Sequence, residues 1–304
     1  MFKFLRNFKK RESTQSSGNQ SSSLKSTRRK INKGSADTTQ NMNLNIASTK
    51  YKVACCQSPG KERTHNEDTL FTLNSFLGGL DASLAFGIYL IADGMGGHQS
   101  GELASNLAAQ GVSQYLMDRV HNNFLFERKS FPKMEIKQWL LDAVEEAQKL
   151  IVRRVPGGGT TLTLVMALGD ELFSAHVGDS RLYVIGLDGT MSLKTRDHSL
   201  VKRLVDLGEI TESEAGNHPH KNVLYRAMGQ SDPFEPDIEE FTLQPGERLM
   251  ICTDGLWGVI DQQEIMQILN NGKDLDHMAC ELVHAANVAG GPDNISVIIV
   301  ERLE

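Results

Sequence analysis

The stretch Ala85-Phe-Gly-Ile-Tyr-Leu-Ile-Ala-Asp93-Gly94 reads as a short apolar strand that stops at a carboxylate followed by glycine. Such an ending puts the carboxylate at the rim of a sheet, close to the backbone. The glycine lets a main-chain carbonyl or a ligand approach closely. The arrangement recurs along the chain. Leu249-Met-Ile-Cys-Thr-Asp254 is followed by Gly255, Asp179 follows Val177-Gly178, and Asp293 sits in Gly290-Gly-Pro-Asp-Asn294 just before the last apolar run. Asn66-Glu67-Asp68 precedes a further run at Thr69–Leu73. A single Asp-Gly is most simply a turn. Several such rims meeting at one end would make an all-oxygen site, which suits Mg2+ or Mn2+ more than zinc.

Around these rims the remaining runs are short: Val53–Cys56, Thr161–Ala167, Leu172–Val177, Leu182–Ile185, Arg248–Thr253 and Ile295–Val300. They read as strands joined mostly by tight turns, as at Gly186-Leu-Asp-Gly189. Helical periodicity runs from about Ser100 to Val120, with Leu103, Leu107, Val112 and Leu116 on one side. It returns from Ile136 to Val152 through Leu140, Val144, Ala147 and Ile151. A weaker pair follows at Gln262–Leu269 and Leu275–Ala286. The helices come in blocks and do not alternate strictly with strands. That favours antiparallel sheets with packed helices over a doubly wound parallel fold.

The chain has 304 residues, 39% hydrophobic and 23% charged, an ordinary balance for a soluble protein with a sizeable core. No apolar run is long enough to span a bilayer, and the first residues lack the pattern of a signal peptide, so a cytoplasmic protein is expected. The four cysteines form no CxxC and no zinc pattern. Residues 1–33 hold ten Lys/Arg and one Glu, a balance of +9; with −6 for the whole chain, the rest carries −15. So acidic a body is a poor nucleic-acid binder but suits hard cations. Residues 1–48 read as a disordered, basic, Ser/Thr-rich arm. Phe2, Phe4, Leu5 and Phe8 lie among its first basic residues, a composition that allows weak contact with an anionic membrane surface.

Arg63-x-x-Asn-Glu-Asp68, Asp93-Gly-Met-Gly-Gly-His98, Gly101-Glu-x-Ala-Ser105, Gly159-Thr-Thr161, Gly178-Asp-Ser-Arg181, Asp197-His-Ser199, Asp254-Gly-Leu256 and Gly291-Pro-Asp-Asn294 follow one another in this order. Together they resemble the PPM (type 2C) metal-dependent protein serine/threonine phosphatases, most closely the bacterial branch. The resemblance covers about residues 51–304. It implies a catalytic domain over 49–304 with a flap at about 199–225. The implied fold is α+β: a four-layer α/β/β/α sandwich of two antiparallel sheets flanked by helix pairs.

The resemblance also implies roles. Asp93 bridges two metals and the Gly94 carbonyl binds one of them, while Asp254 and Asp293 complete the other shell. Glu67 and Asp68 act close by, partly through water. Asp179, with Asp254, matches the place of a third, weaker metal. Arg63 grips the substrate phosphate. The implied cofactors are Mn2+ or Mg2+, two in tight sites. The implied reaction is hydrolysis of phosphoserine and phosphothreonine in proteins by direct attack of a metal-bridging water, opposing a serine/threonine protein kinase. A monomer is expected. Where some eukaryotic members carry a histidine after Asp-Gly, this chain has Met95, which leaves the general acid unassigned. His98 is the neighbouring candidate, and His218 and His220 lie in the flap. Gly157-Gly-Gly159 is no P-loop, since no Gly-Lys-Ser/Thr follows. Asp197-His-Ser199 is no triad, because consecutive residues cannot converge on one scissile bond. A binding-only relative would have lost a metal ligand, and none is lost here.

Overall fold

The computed structural model describes residues 50–78, 83–97, 99–126, 132–216, 218–230, 234–272 and 274–304. The expected arm at 1–48 and His98 lie outside them. The chain runs through β1 (Tyr51–Ser58), β2 (Thr69–Gly78), β3 (Ser83–Ala92) and a short β4 (Gly94–Met95) into two long helices, α1 (Gln99–Phe126) and α2 (Lys133–Arg154). Then come β5 (Gly159–Thr160), β6 (Leu162–Leu168), β7 (Glu171–Val177), β8 (Arg181–Ile185) and β9 (Met191–Leu193). Short helices α3 (Leu200–Asp206) and α4 (Glu212–Gly216) lead to β10 (Asp237–Thr242) and β11 (Arg248–Cys252). The chain closes with α5 (Asp254–Trp257), α6 (Gln262–Asn271), α7 (Leu275–Val288) and β12 (Ile295–Arg302).

Two five-stranded sheets result, in the orders β1-β12-β11-β8-β9 and β10-β7-β6-β3-β2. Every pairing within them is antiparallel. Three apolar layers hold the sheets and helices together. Tyr89, Ile91 and Val165 meet Leu249, Ile251 and Ile298 between the sheets. Helices α1 and α2 cover the outer face of one sheet through Val112, Leu116, Leu140 and Ile151 against Ile88, Leu90 and Leu164. Helices α6 and α7 cover the other through Ile265, Leu282 and Ala286 against Met250, Val297 and Ile299. This is the four-layer α/β/β/α sandwich. A sheet covered on both faces needs no polar alternation, so β6 is buried throughout and reads as an uninterrupted apolar run.

One local expectation changes, and one strand goes unforeseen. Leu103 is not on the inner face of α1 but 46% exposed. The face that packs is lined by Ala104, Ala108, Val112, Leu116 and Val120. Small residues let the helix lie close: Gly111 is near enough to α2 that a Cβ there would stand 3.5 Å from the Ala147 methyl. The strand β10 was not legible. It is an edge strand, Asp237-Ile-Glu-Glu-Phe-Thr242, pairing only with β7, and charged residues guard such edges against further pairing.

Removing a buried branched side chain between the sheets leaves a cavity. Ile298→Ala should therefore lower stability by about 2–5 kcal/mol, whereas Leu103→Ala should stay within about 0.5 kcal/mol of wild type. Urea denaturation of the two variants checks both.

Candidate metal centre

The acidic cluster is built from strand ends and the loops that leave them. Asp93 follows β3, and its backbone is fixed on both sides. Its N–H donates to Thr161 Oγ1 at 2.9 Å. Its carbonyl accepts from Thr160 Oγ1 and from the Thr161 N–H, both at 2.8 Å. Gly94 is wedged between two chain segments: a Cβ there would lie 2.4 Å from the Gly101 carbonyl oxygen and 2.6 Å from that of Glu67. A Cβ on Gly101 would meet Glu67 Oε2 at 2.0 Å. Close approach, not an unusual φ, makes these positions glycine. Ser105, one helical turn on in α1, donates to the Glu67 carbonyl at 2.6 Å and so ties the helix to this loop.

Asp68 enters from the same loop. Its Oδ2 accepts from Ser296 Oγ at 2.6 Å and from Thr253 Oγ1 at 3.2 Å. Its Oδ1 is the one buried side-chain polar atom among the described residues with no hydrogen-bond partner. Asn294 fastens the loops together. It accepts from the Glu67 N–H at 2.8 Å and donates to the carbonyls of Pro59 and His65, each at 2.9 Å. Asp254 opens α5, and Gly255 beside it lets the chain pass Asn294, whose carbonyl oxygen would stand 2.0 Å from a Cβ. Arg63 reaches in from the loop after β1, with Nη2 2.9 Å from Asp293 Oδ2 and about half its side chain exposed.

Asp179 is set by a second network. Trp257 Nε1 donates to its carbonyl at 3.1 Å, and the Arg181 guanidinium lies 3.5 Å above the Trp257 ring centroid. Arg181 in turn holds Asp197 through two nitrogens, at 3.0 and 2.7 Å. Behind this, His198 is buried. Its Nδ1 accepts the Gly178 N–H at 3.0 Å and its Nε2 meets Asp237 Oδ2 at 3.1 Å, which fixes the tautomer protonated on Nε2. Arg226 completes the group against Asp237 Oδ1 at 2.8 Å. Sequence reasoning missed this hub because Asp237 lies in β10. Of the flap histidines, His218 accepts the backbone N–H of His220 through its ring, and the two rings touch.

The carboxylates feel one another. Asp68, Asp93, Asp179 and Asp254 are all shifted upward, first because the protein strips water from them and then by their neighbours' charges. Asp68 is pushed to about 7, despite its hydrogen bonds, with Asp254 and Asp293 adding to the effect of burial. Asp254 is pushed to about 6 by burial and then by Asp293. Asp93 is raised further by Asp68, Asp254, Asp179 and Asp293 after burial, and Asp179 by Asp254 and Asp197. Asp254 and Asp93 are close enough to share a hydrogen bond, although among the described residues no group of three or more His, Cys, Asp or Glu stands in metal-holding geometry. What they share is an all-oxygen donor set, an unpartnered oxygen on Asp68 and a net negative field that Arg63 and Arg181 answer only in part, which fits hard divalent cations.

A family model described as protein phosphatase 2C matches residues 64–295. The chain belongs to the protein phosphatase 2C family. It is 35% identical over 250 residues to the serine/threonine phosphatase stp of Listeria innocua, covering 80% of this chain and 92% of that protein. The structure of the Streptococcus agalactiae serine/threonine phosphatase superposes with a TM-score of 0.72 at 32% identity, covering 84% of this chain and all of that one. The catalytic domain of the phosphatase PstP, in complex with two manganese ions, superposes at 0.68 with 28% identity, covering 84% and 99%. The present chain is a metal-dependent protein serine/threonine phosphatase.

The raised carboxyls have a consequence for stability. Their native values lie above the ordinary carboxylate value, so their contribution is full below about pH 4 and is lost as pH rises through about 6–7. In metal-free phosphatase at pH 7.5, Asp254→Asn should remove part of the repulsion and raise the melting temperature by about 2–4 °C, equivalent to about 1 kcal/mol. The difference should vanish near pH 4. Scanning calorimetry in chelator at the two pH values checks it.

Proposed function

We propose that Asp93, the Gly94 carbonyl, Glu67, Asp68, Asp254 and Asp293 hold two divalent cations, Mn2+ or Mg2+, and that Asp179 with Asp254 holds a third, weaker one. The observation that carries this is the group of mutually repelling carboxylates with Arg63 at its edge, all at strand ends of one domain. When bound, the cations supply an acidified water for attack and positive charge for the phosphoryl oxygens.

The chain's own residues do the rest. Arg63 presents a planar guanidinium from an exposed loop, suited to two parallel hydrogen bonds with a phosphate. Asp293 holds that guanidinium in place at the rim. Ser296 and Thr253 fix one oxygen of Asp68 and leave the other for water or cation. On this reading attack is direct, by water and without a phosphoenzyme, and the buried hydroxyls of Ser296 and Thr253 serve to hold Asp68. The network of Trp257, Arg181 and Asp197 fixes Asp179 through its backbone.

The enzyme on this reading is a cytoplasmic signalling monomer that opposes a serine/threonine protein kinase. Its basic arm at 1–48 makes weak contact with anionic membrane surfaces. No helix among the described residues is long and apolar enough to cross a membrane.

Manganese should be required for phosphate release from a phosphothreonine peptide, and a phosphotyrosine peptide of the same sequence should react far more slowly. Asp93→Asn should reduce turnover to near background while the domain stays folded. Release that persists in chelator, or near-normal turnover by Asp93→Asn at saturating manganese, would overturn the site.

Arg63→Ala should raise KM and lower kcat together, since the guanidinium acts on both the bound ester and the transition state. Arg63→Lys should recover only part, because an ammonium cannot reproduce the fork. Steady-state kinetics of the two variants decides whether bidentate binding is what matters.

A further inference from the structure

Beside the acidic cluster lies a cavity of about 380 Å3, within the range of ligand sites. Arg63, Asp179, Asp254 and Asp293 form one wall. Val201 of α3 and Ala215 of α4, both in the flap, line it as well, and Trp257, Val259 and Pro292 add an apolar strip.

The charges around the strip are largely answered from within. Lys202 is paired with Asp206 and Glu212, at 3.3 and 2.9 Å. Arg181 is held by Asp197. At the flap end apolar Val201 and Ala215 line the cavity beside Lys221 and Asn222. The flap itself has apolar surface to spare: α3 buries none of its residues, and Val201 is only half covered.

The strip is also held in shape before any ligand arrives. Trp257 is clamped by the Arg181 guanidinium on its ring face and by its hydrogen bond to the Asp179 carbonyl. The flap is fixed at its root, where the Leu200 N–H donates to the Val223 carbonyl at 2.8 Å and Ser199 caps α3 through the Lys202 N–H. A preformed apolar recess costs little ordering on binding.

We propose that this cavity seats an apolar side chain of the phosphoprotein substrate, within about three residues of the phosphorylated one. The proposal rests on the phosphatase reading above, because the cavity shares its wall with Arg63 and the carboxylates. A substrate whose phosphate lies at that wall runs its neighbouring residues along the cavity, at about 3.3 Å per residue if extended. The phosphate end is recognised by charge and the flap end by burial, so the enzyme selects among phosphoproteins by an apolar residue near the phosphoresidue.

The test is a positional scan of alanine-based phosphothreonine peptides, with leucine or glutamate placed in turn at each of the three positions on either side. Leucine at one or two positions on one side should raise kcat/KM about tenfold over alanine, mostly through KM, as expected for burying much of an aliphatic side chain. In Val201→Ser/Val259→Ser the leucine-to-alanine ratio should fall close to one. Val201→Ser alone, at a half-buried position of α3, gives the same reading if the double variant does not fold. A flat scan, a larger gain with glutamate than with leucine, or a ratio that survives in the folded variants overturns the subsite while leaving the phosphatase standing. No manganese-dependent release from any peptide overturns the phosphatase reading and the subsite with it.

Discussion

Carboxylates that would repel one another are held in a small volume by the ends of two packed sheets, and most other features of the domain serve that crowding. Asp68, Asp93, Asp179 and Asp254 all resist ionisation because protein replaces water around them and each adds to the next. No local preference would bring them together. Burial of apolar surface in three layers does so and bears the electrostatic cost. The destabilised arrangement is what a hard cation then relieves, a pattern common to sites whose function is bought with stability.

The motifs have separate mechanical tasks that the structure makes explicit. The two threonines after Gly159 hold the Asp93 backbone from both sides. Gly94 and Gly101 make room for each other and for Glu67. Asn294 gathers the carbonyls of Pro59 and His65 and the N–H of Glu67 at one amide. The Arg181–Asp197 pair supports Trp257, and Trp257 supports Asp179. Function in this chain therefore depends on a layer of residues that touch no substrate, each acting through hydrogen bonds of about 2.6–3.1 Å to a backbone that must not move.

Much of this was legible in the sequence, and the reasons are physical. Strands buried on both faces show as plain apolar runs, and an Asp-Gly after such a run is hard to mistake. The resemblance of the motifs supplied the pairing of sheets that periodicity alone does not give. Three things escaped. Strand β10 is an edge with charged residues, so it carries no apolar signal, and with it Asp237 and the His198 hub went unseen. The inner face of α1 is lined partly by alanines, whose small side chains mark it less strongly than the exposed Leu103 marks the other face. Pairings such as Trp257 over Arg181 join residues 76 positions apart and leave no local trace.

Asn294 and Asp293 stand at the start of β12, which lies between β1 and β11 in its sheet. The strand at the middle of a sheet opens only when the whole unit opens, since its ladder is bonded on both sides. Asp293 on its rim thus shares the cooperativity of global unfolding. The flap belongs to the other end of that scale: α3 buries no residue and keeps Leu207 exposed. One domain thereby combines a chemical centre tied into its interior strands with a flap held at its root and little buried beyond it, so contacts at the flap can change without loosening the centre.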